Sequence, residues 1–401
     1  MKHLPLKIVM VSANHAADDV RIVAKEARTL RGAGHTVHLL MGRPRSDVAP
    51  DYPLTVVRRP FDRALGRGAV STLFAIPFIF IQALRLGGDV YHVHNPLNLP
   101  LLFLLRLFGR RVVYDTHEDF SRRLEIRTGI PKPLRRLLGK VVTLVERFAG
   151  LVGAAVIVTQ HRQRDRFGAN ALLLENPPLK AYRLAPRHHD ERSDGAPLTL
   201  VYAGGLSAVR CAGFMVDMLE ELNRGDGAVR LKLLAPDGPD KMIERLSRSP
   251  GWRYVDYLGW LPHRQAVAEM TSADIGLAVI HKQADIPDAA INKLYEYMYA
   301  GIPFVASDCA RWMAVAHNAQ AGIFVDPENQ PAVIGAIRRL AEDSALRARL
   351  GQTGRRIVMD EYNWERLSVP LTDFFATLAS PARSDDCAPS RVRTAAERII
   401  P

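Results

Sequence analysis

Asn292–Asp308 reads NKLYEYMYAGIPFVASD. Its first nine residues suit a helix that carries Lys293, Glu296 and Tyr297. Gly301 marks the stop, and Pro303 leads into an apolar strand, Phe304–Ser307. A helix that turns directly into a buried strand is one step of a parallel α/β sheet. A carboxylate on such a helix can accept two ribose hydroxyls, and a neighbouring lysine can meet a phosphate. Taken alone, Glu296 is equally an ordinary solvated helix residue.

The same alternation extends in both directions. Leu198–Ala203, Leu231–Ala235, Val255–Leu258, Ile275–Val279 and Gly322–Val325 read as further strands, with helical patterns between them. Upstream of these lies Arg183–Pro197 (RLAPRHHDERSDGAP), polar and charged with little to bury, which reads as a linker. The first half forms its own series, with strands at Lys7–Val11, Thr36–Leu40, Leu54–Arg58, Val90–His94, Val112–Asp115 and Ala155–Thr159. Between the first two of these, Val20–Gly34 has helical spacing at Val20, Val23, Ala24, Ala27 and Leu30. The expected fold is therefore α/β, with two doubly wound parallel sheets in tandem and ligands at the carboxyl ends of the strands. Ser380–Pro401 has the composition of a disordered tail.

Composition narrows the class. The 401 residues are 48% hydrophobic and 24% charged, enough for two ordinary cores. Cys211, Cys309 and Cys387 form no CxxC pair, which points away from a disulfide framework or structural zinc and towards a cytoplasmic setting. Met1–Leu6 has no secretory pattern. Ala69–Leu86 is apolar but interrupted by Pro77, Gln82 and Arg85, and reads as a buried or interfacial helix. A formal charge of +12 favours anionic partners. No zinc finger or aromatic-rich RNA-binding pattern accompanies it, so nucleic acid is not expected. His92 and His94 share one strand face, but no third ligand has fitting spacing and no metal is expected.

The stretch from Asp288 to Pro303 resembles the nucleotide-sugar site of the retaining GT-B glycosyltransferases of family 4. Glu296 followed by Tyr-Met-Tyr-Ala-Gly-Ile-Pro matches the second half of their motif, and Asp288 stands where their first glutamate falls. The resemblance spans most of Lys7–Leu378. It includes the glycine turn of Val201–Arg210 (VYAGGLSAVR), the passage Tyr257–Val279 with Gly259, Pro262, Ala273 and Asp274, and Val113–Asp119 (VYDTHED). It implies two Rossmann-like domains facing across a cleft: 1–182, to which a final helix 365–379 returns, and a donor-binding domain 195–364. It implies His117, Arg210 and Lys293 as catalytic residues, and Gly204, Gly205, Leu258, Asp288 and Glu296 around the donor. His15, Arg21, His94 and Glu118 fall on the acceptor side. Met215 occupies the position of a second family cation, part of whose task would pass to Lys293. Asp274 reads as a cap or turn residue.

The implied reaction is retaining transfer of a sugar from a nucleotide-sugar donor to an acceptor hydroxyl, without a metal cofactor, in glycan or lipid-linked saccharide synthesis. Basic residues between Arg63 and Lys140, Arg67 among them, crowd beside the apolar runs Leu73–Leu86 and Leu97–Phe108. They suggest an anionic membrane surface as partner and a peripheral place on its inner face. The alternatives are a sugar-nucleotide 2-epimerase or a catalytically inert GT-B assembly partner. An NAD-dependent dehydrogenase would want GxGxxG after the first strand, where SANHAA stands.

Overall fold

The computed structural model describes residues 4–45, 51–66, 68–127, 130–167, 171–180, 196–225, 228–238, 241–284, 286–288 and 292–379. Arg67, the 380–401 tail and all but the last two residues of the expected linker lie outside them. The chain divides into two compact units: Met1–Asn176 with Leu367–Pro401, and Pro177–Arg366.

Seven strands form the first sheet: β1 (Lys7–Ala16), β2 (Thr36–Gly42), β3 (Leu54–Val56), β4 (Val90–His94), β5 (Arg111–Thr116), β6 (Ala155–Val158) and β7 (Ala171–Leu173). Their order is β3-β2-β1-β4-β5-β6-β7, and every pairing is parallel. Chain direction across the sheet reverses between β1 and β4, which makes that boundary the switch point where such sheets bind ligands. Central strands are buried on both faces: Ile8–Ser12 of β1 and all five residues of β4. That is why β1 reads as a continuous apolar run rather than as alternation, while β4 buries His92 and His94 on one face.

Two features depart from the expected boundaries. β1 continues five residues past Val11, with a register irregularity between Ser12 and Ala16 that carries His15 to the strand's carboxyl end. β7 is only three residues long, too short for periodicity to separate it from a loop.

One face of this sheet is covered by the helices Ala69–Leu86, Leu99–Leu107 and Lys132–Leu151, packed over Val11, Tyr91, Val93, Tyr114 and Val156. Ala69–Leu86 is long and apolar enough to cross a bilayer by length and composition, and a third of it is buried here. On the other face sits Phe375, 5.5 Å from the His92 ring. The expected helix 365–379 is two helices, Trp364–Leu367 and Val369–Ala379. Pro370, which has no N–H to donate, falls in the first turn of the second helix.

The second sheet contains β8 (Leu198–Ala203), β9 (Val229–Leu234), β10 (Val255–Tyr257), β11 (Ile275–Ala278), β12 (Phe304–Ser307) and β13 (Gly322–Val325), ordered β10-β9-β8-β11-β12-β13 and parallel throughout. Its switch point lies between β8 and β11. Asp274 ties these two strands together: its carboxylate accepts from the Thr199 N–H at 2.8 Å, and its own N–H donates to the Thr199 carbonyl at 2.7 Å. Tyr297 anchors the helix Asn292–Ala300 beneath them, its hydroxyl donating to the Leu277 carbonyl at 3.0 Å. A Cβ at Gly276 would strike the Tyr297 ring at 2.4 Å, so glycine there makes room for the anchor.

Candidate active site

In the second unit the turn after β8 collects the cations. Gly204 has φ +130°, open to glycine and strained for other residues. A Cβ at Gly204 would meet the Lys293 Nζ at 2.8 Å, and one at Gly205 would meet the Arg210 Nη1 at 2.6 Å. Both charges therefore lie directly against the glycine turn. Lys293 reaches it across the Tyr202 ring, 4.7 Å from the centroid, and Arg210 donates to the Gly205 carbonyl at 3.0 Å. Burial pushes the Tyr202 phenol up to about 12, so it stays a neutral donor, bonded to the Gly205 carbonyl at 2.8 Å. Two cations set against a glycine turn make an anion site. Met215 is buried in the core and supplies no polar group there.

Glu296 stands one helical turn beyond Lys293. Its Oε1 lies 3.1 Å from the His263 Nε2, which leaves Oε2 for another partner. Sequence reading gave His263 no role. Its only signal was its place directly after Pro262, at the start of the helix His263–Thr271. Leu258 is partly exposed beside Gly259 (φ +68°) and the exposed Trp260. Asp288 is half-buried, and its negative charge reaches the Cys309 thiol, which burial first and then Asp308 push up to about 11.

In the first unit three histidines meet at the carboxyl ends of β1, β4 and β5. The His117 ring centre lies 5.2 Å from that of His15 and 5.3 Å from that of His94, and His117 Nε2 is 3.2 Å from His94 Nδ1. His117 Nδ1 has no hydrogen-bond partner among the described residues. Burial pulls the His117 pKa down to about 3, against the opposing pull of Asp115, so the ring is neutral at pH 7.

Arg21 and His94, expected to touch the acceptor, are buried behind this group. Arg21 Nε pairs with Glu26 Oε1 at 2.9 Å, its Nη2 lies 3.4 Å from Asp115, and its Nη1 donates to the Leu174 carbonyl. Its charge is thus directed inside the unit, towards Asp115 and Glu26. Glu118 turns away to Arg123 at 3.5 Å. The Arg21–Glu26 pair depends on backbone winding. Val20–Ala27 is a π-helix that passes into the α-helix Arg28–Gly32. At about 3.6 residues per turn, positions five apart diverge, whereas the wider π winding brings them to one side.

Glu26, His92, His94 and Asp115 place one ligand atom each within 4.8 Å of one another. Sequence spacing concealed this set, because Glu26 and Asp115 come from elements distant in the chain from the two histidines. Arg21 already supplies a positive charge to both carboxylates. Burial, reinforced by Asp115, raises the Glu26 carboxyl well above its usual range. Burial alone would raise Asp115 too, but Arg21 and then His117 hold it well below. Arg21 therefore pairs with Asp115, the Glu26 carboxyl is biased towards its protonated form, and burial favours neutral His94 and His117.

That arrangement sets a pH dependence. Burial lowers His15, His94 and His117 from 6.5, so their contribution is present above pH 6.5 and is lost as pH falls towards their folded values. Glu26 acts oppositely: its contribution is lost as pH rises from 4.5 through its raised value. Between pH 4.5 and 6.5 the lowered histidines outweigh the raised Glu26 carboxyl, so stability should rise with pH. Above pH 6.5 the raised carboxyls of Glu26 and Glu146 act in the opposite sense and stability should decline. A thermal melt series should thus peak near pH 6.5, and Glu26→Gln should lessen the alkaline decline. A profile flat from pH 4.5 to 6.5 would contradict this protonation pattern.

Comparison with known proteins accords with this geometry. The model for the "Glycosyl transferase 4-like domain" matches residues 20–173, and that for "Glycosyl transferases group 1" matches 197–343. A phosphatidyl-myo-inositol mannosyltransferase of Mycolicibacterium smegmatis is 23% identical over 372 residues, covering 89% of both chains. An alpha-D-kanosaminyltransferase of Streptomyces kanamyceticus is 24% identical over 57% of this chain and 61% of its own. Among solved structures, a sucrose-phosphate synthase of Thermosynechococcus elongatus superposes with a TM-score of 0.73 at 17% identity, covering 93% of this chain and 98% of its own. Anabaena HepE in complex with UDP gives 0.67 at 13%, covering 93% and 100%. Matched in both units by models that together span most of its length, and built on two Rossmann-like parallel sheets, the chain belongs to the family 4-type GT-B glycosyltransferases.

Proposed function

We propose that the protein transfers a sugar, with retention at the anomeric carbon, from a nucleoside-diphosphate sugar to the hydroxyl of a glycan or lipid-linked acceptor at the inner face of a membrane. The observation that carries the reading is the convergence of Lys293 and Arg210 on the Gly204–Gly205 turn. In the reaction the bond from the anomeric carbon to the diphosphate breaks with its electron pair on the phosphate oxygen. The acceptor oxygen takes that place on the same face, and its proton passes to the departing diphosphate. Charge grows on the diphosphate in the transition state, where fixed cations and backbone N–H groups stabilise it most. In this reading Glu296, oriented by His263, holds the ribose, with Leu258 and Asp288 beside the nucleotide. His117 hydrogen-bonds the transferred sugar through Nδ1, its ring kept neutral by burial.

The binding of UDP by Anabaena HepE and the mannosyltransferase name of the mycobacterial relative support the donor class. No metal is assigned a part in transfer. Arg21 occupies the charge position a cation would take in the first unit, and Lys293 and Arg210 serve the diphosphate. Activity should survive chelation.

The test separates the two units. Nucleoside diphosphates of uridine, guanosine, adenosine and cytidine are screened by calorimetry, and the binder's sugar donor is then used for kinetics. Loss of a charged hydrogen bond costs about 1.5–3 kcal/mol, so Glu296→Ala should weaken the nucleotide roughly tenfold or more. His117→Ala should abolish transfer while leaving nucleotide affinity within about twofold, as distant independent sites do. Nucleotide binding lost with His117, or unaffected by Glu296, would refute the assignment. Donor consumption without acceptor, giving an epimerised sugar nucleotide, would replace transfer by epimerisation.

A further inference from the structure

The surface of the first unit bears on where the acceptor is met. The helix Lys132–Leu151 buries little more than Gly139, Glu146 and Ala149. Outward it shows Leu134, Leu137, Val141, Leu144, Phe148 and Leu151, each 45–82% exposed. Their spacing of 3, 4, 3, 4 and 3 residues aligns them in one stripe. At about 1.5 Å per residue it runs roughly 25 Å. Soluble helices point such a stripe inward, and this one points it out.

Two neighbours extend the apolar surface. Ala69–Leu86 exposes Val70, Leu73, Phe74 and Ile81, and Leu99–Leu107 ends at the exposed Leu107 and Phe108. Ring contacts join the three helices: Phe80 to Phe108 at 5.1 Å and Phe103 to Phe148 at 5.3 Å. The second unit, by contrast, exposes only Tyr257, Leu258 and Trp260 as large apolar side chains among the described residues.

Charge decides what covers the stripe. The helix carries Lys132, Arg135, Arg136, Lys140 and Arg147 against the single acid Glu146, a balance of five to one. Glu146 is buried and held by Arg166 at 2.8 Å, so it offers nothing outward. Lys132, Arg136, Lys140 and Arg147 line a groove of about 860 Å³ at the edge of the stripe, with Glu125 as its single acid. A second copy packed on the heptad-spaced stripe would set these four cations against their own counterparts with only Glu125 from each copy to offset them. An anionic lipid surface accommodates both features: acyl chains against the leucines, phosphates in the basic groove.

We propose that Lys132–Leu151 is the docking helix of the protein, lying flat in the headgroup region of an anionic membrane with its basic groove holding lipid phosphates. This rests on the reading of a membrane-borne acceptor above and names the surface that meets it.

The experiment is flotation of the full-length protein with phosphatidylcholine vesicles, with and without phosphatidylglycerol, at low and high salt. Wild type should float with the anionic vesicles alone, less at high salt. Arg136→Glu/Lys140→Glu/Arg147→Glu should lower binding by about fivefold or more per charge, the factor that roughly 1 kcal/mol for each basic residue implies. Leu137→Glu/Leu144→Glu should lose binding at all salt concentrations. These positions are exposed, so circular dichroism, nucleotide binding and transfer to a soluble acceptor should match wild type. Flotation of the leucine variant like wild type would overturn the proposal, as would failure of wild type to float. A wild-type dimer that the leucine variant renders monomeric would assign the stripe to a second copy instead. Nucleotide binding without flotation removes the docking helix and leaves the transfer reading. Flotation without nucleotide binding does the reverse.

Discussion

Lys293→Met and Arg210→Ala should each lower kcat by about 10²-fold or more, with donor affinity changed far less. Methionine retains an apolar stem over the Tyr202 ring and removes only the ammonium, so Lys293→Met isolates the charge. Arg210→Lys should recover part of the loss, since it restores charge but not the planar fork. Two further substitutions test the geometry without touching either cation. A Cβ at Gly205 would lie 2.6 Å from the Arg210 Nη1, and one at Gly204 would lie 2.8 Å from the Lys293 Nζ in a backbone region that L side chains disfavour. Gly204→Ala and Gly205→Ala should therefore reproduce a substantial part of the kcat defect by displacing the cations. Single-turnover kinetics with a saturating donor reads the effect directly. Wild-type kcat in both Lys293→Met and Arg210→Ala would mean that the leaving group is held elsewhere.

Arg21→Met should destabilise the first unit by about 3–5 kcal/mol, the cost of stranding a buried carboxylate without its partner. The guanidinium is the principal positive charge beside Asp115, and it also holds Glu26 and the Leu174 carbonyl. For a unit of this size the melting temperature should fall by roughly 10 °C. Hydrogen exchange should quicken in β1, β4 and β5 and leave the second sheet unchanged. Adding Asp115→Asn to Arg21→Met should recover stability, because it removes the stranded charge, whereas independent sites would add their losses. An acceptor contact at Arg21 would instead raise the acceptor KM in a protein of normal stability. A normal melt with a raised KM would therefore overturn the structural assignment.

The parallel sheets were legible from sequence because strands buried on both faces are rich in apolar residues, and runs such as IVMV and FVAS declare themselves. The residues expected around the donor were also legible as a local pattern. Gly204, Gly205, Arg210, Lys293 and Glu296 sit in short segments whose local order, strand then turn or helix then turn, already fixes which elements they end. His263 was not, because its link to Glu296 joins two helices separated by a strand and a long loop. The first unit needed tertiary structure most. Sequence periodicity presented Val20–Gly34 as a plain α-helix, whereas π winding turns Arg21 and Glu26 to one side and buries both against Asp115. That directs the Arg21 charge to Asp115 inside the unit, while burial lowers the pKa values of the histidines around it. The helix Lys132–Leu151 makes the same point. Its 3-4 spacing is plain in the sequence, but spacing cannot say whether a stripe faces in or out. Only the packed core determines that: the helix turns Gly139, Glu146 and Ala149 inward and leaves the stripe outside.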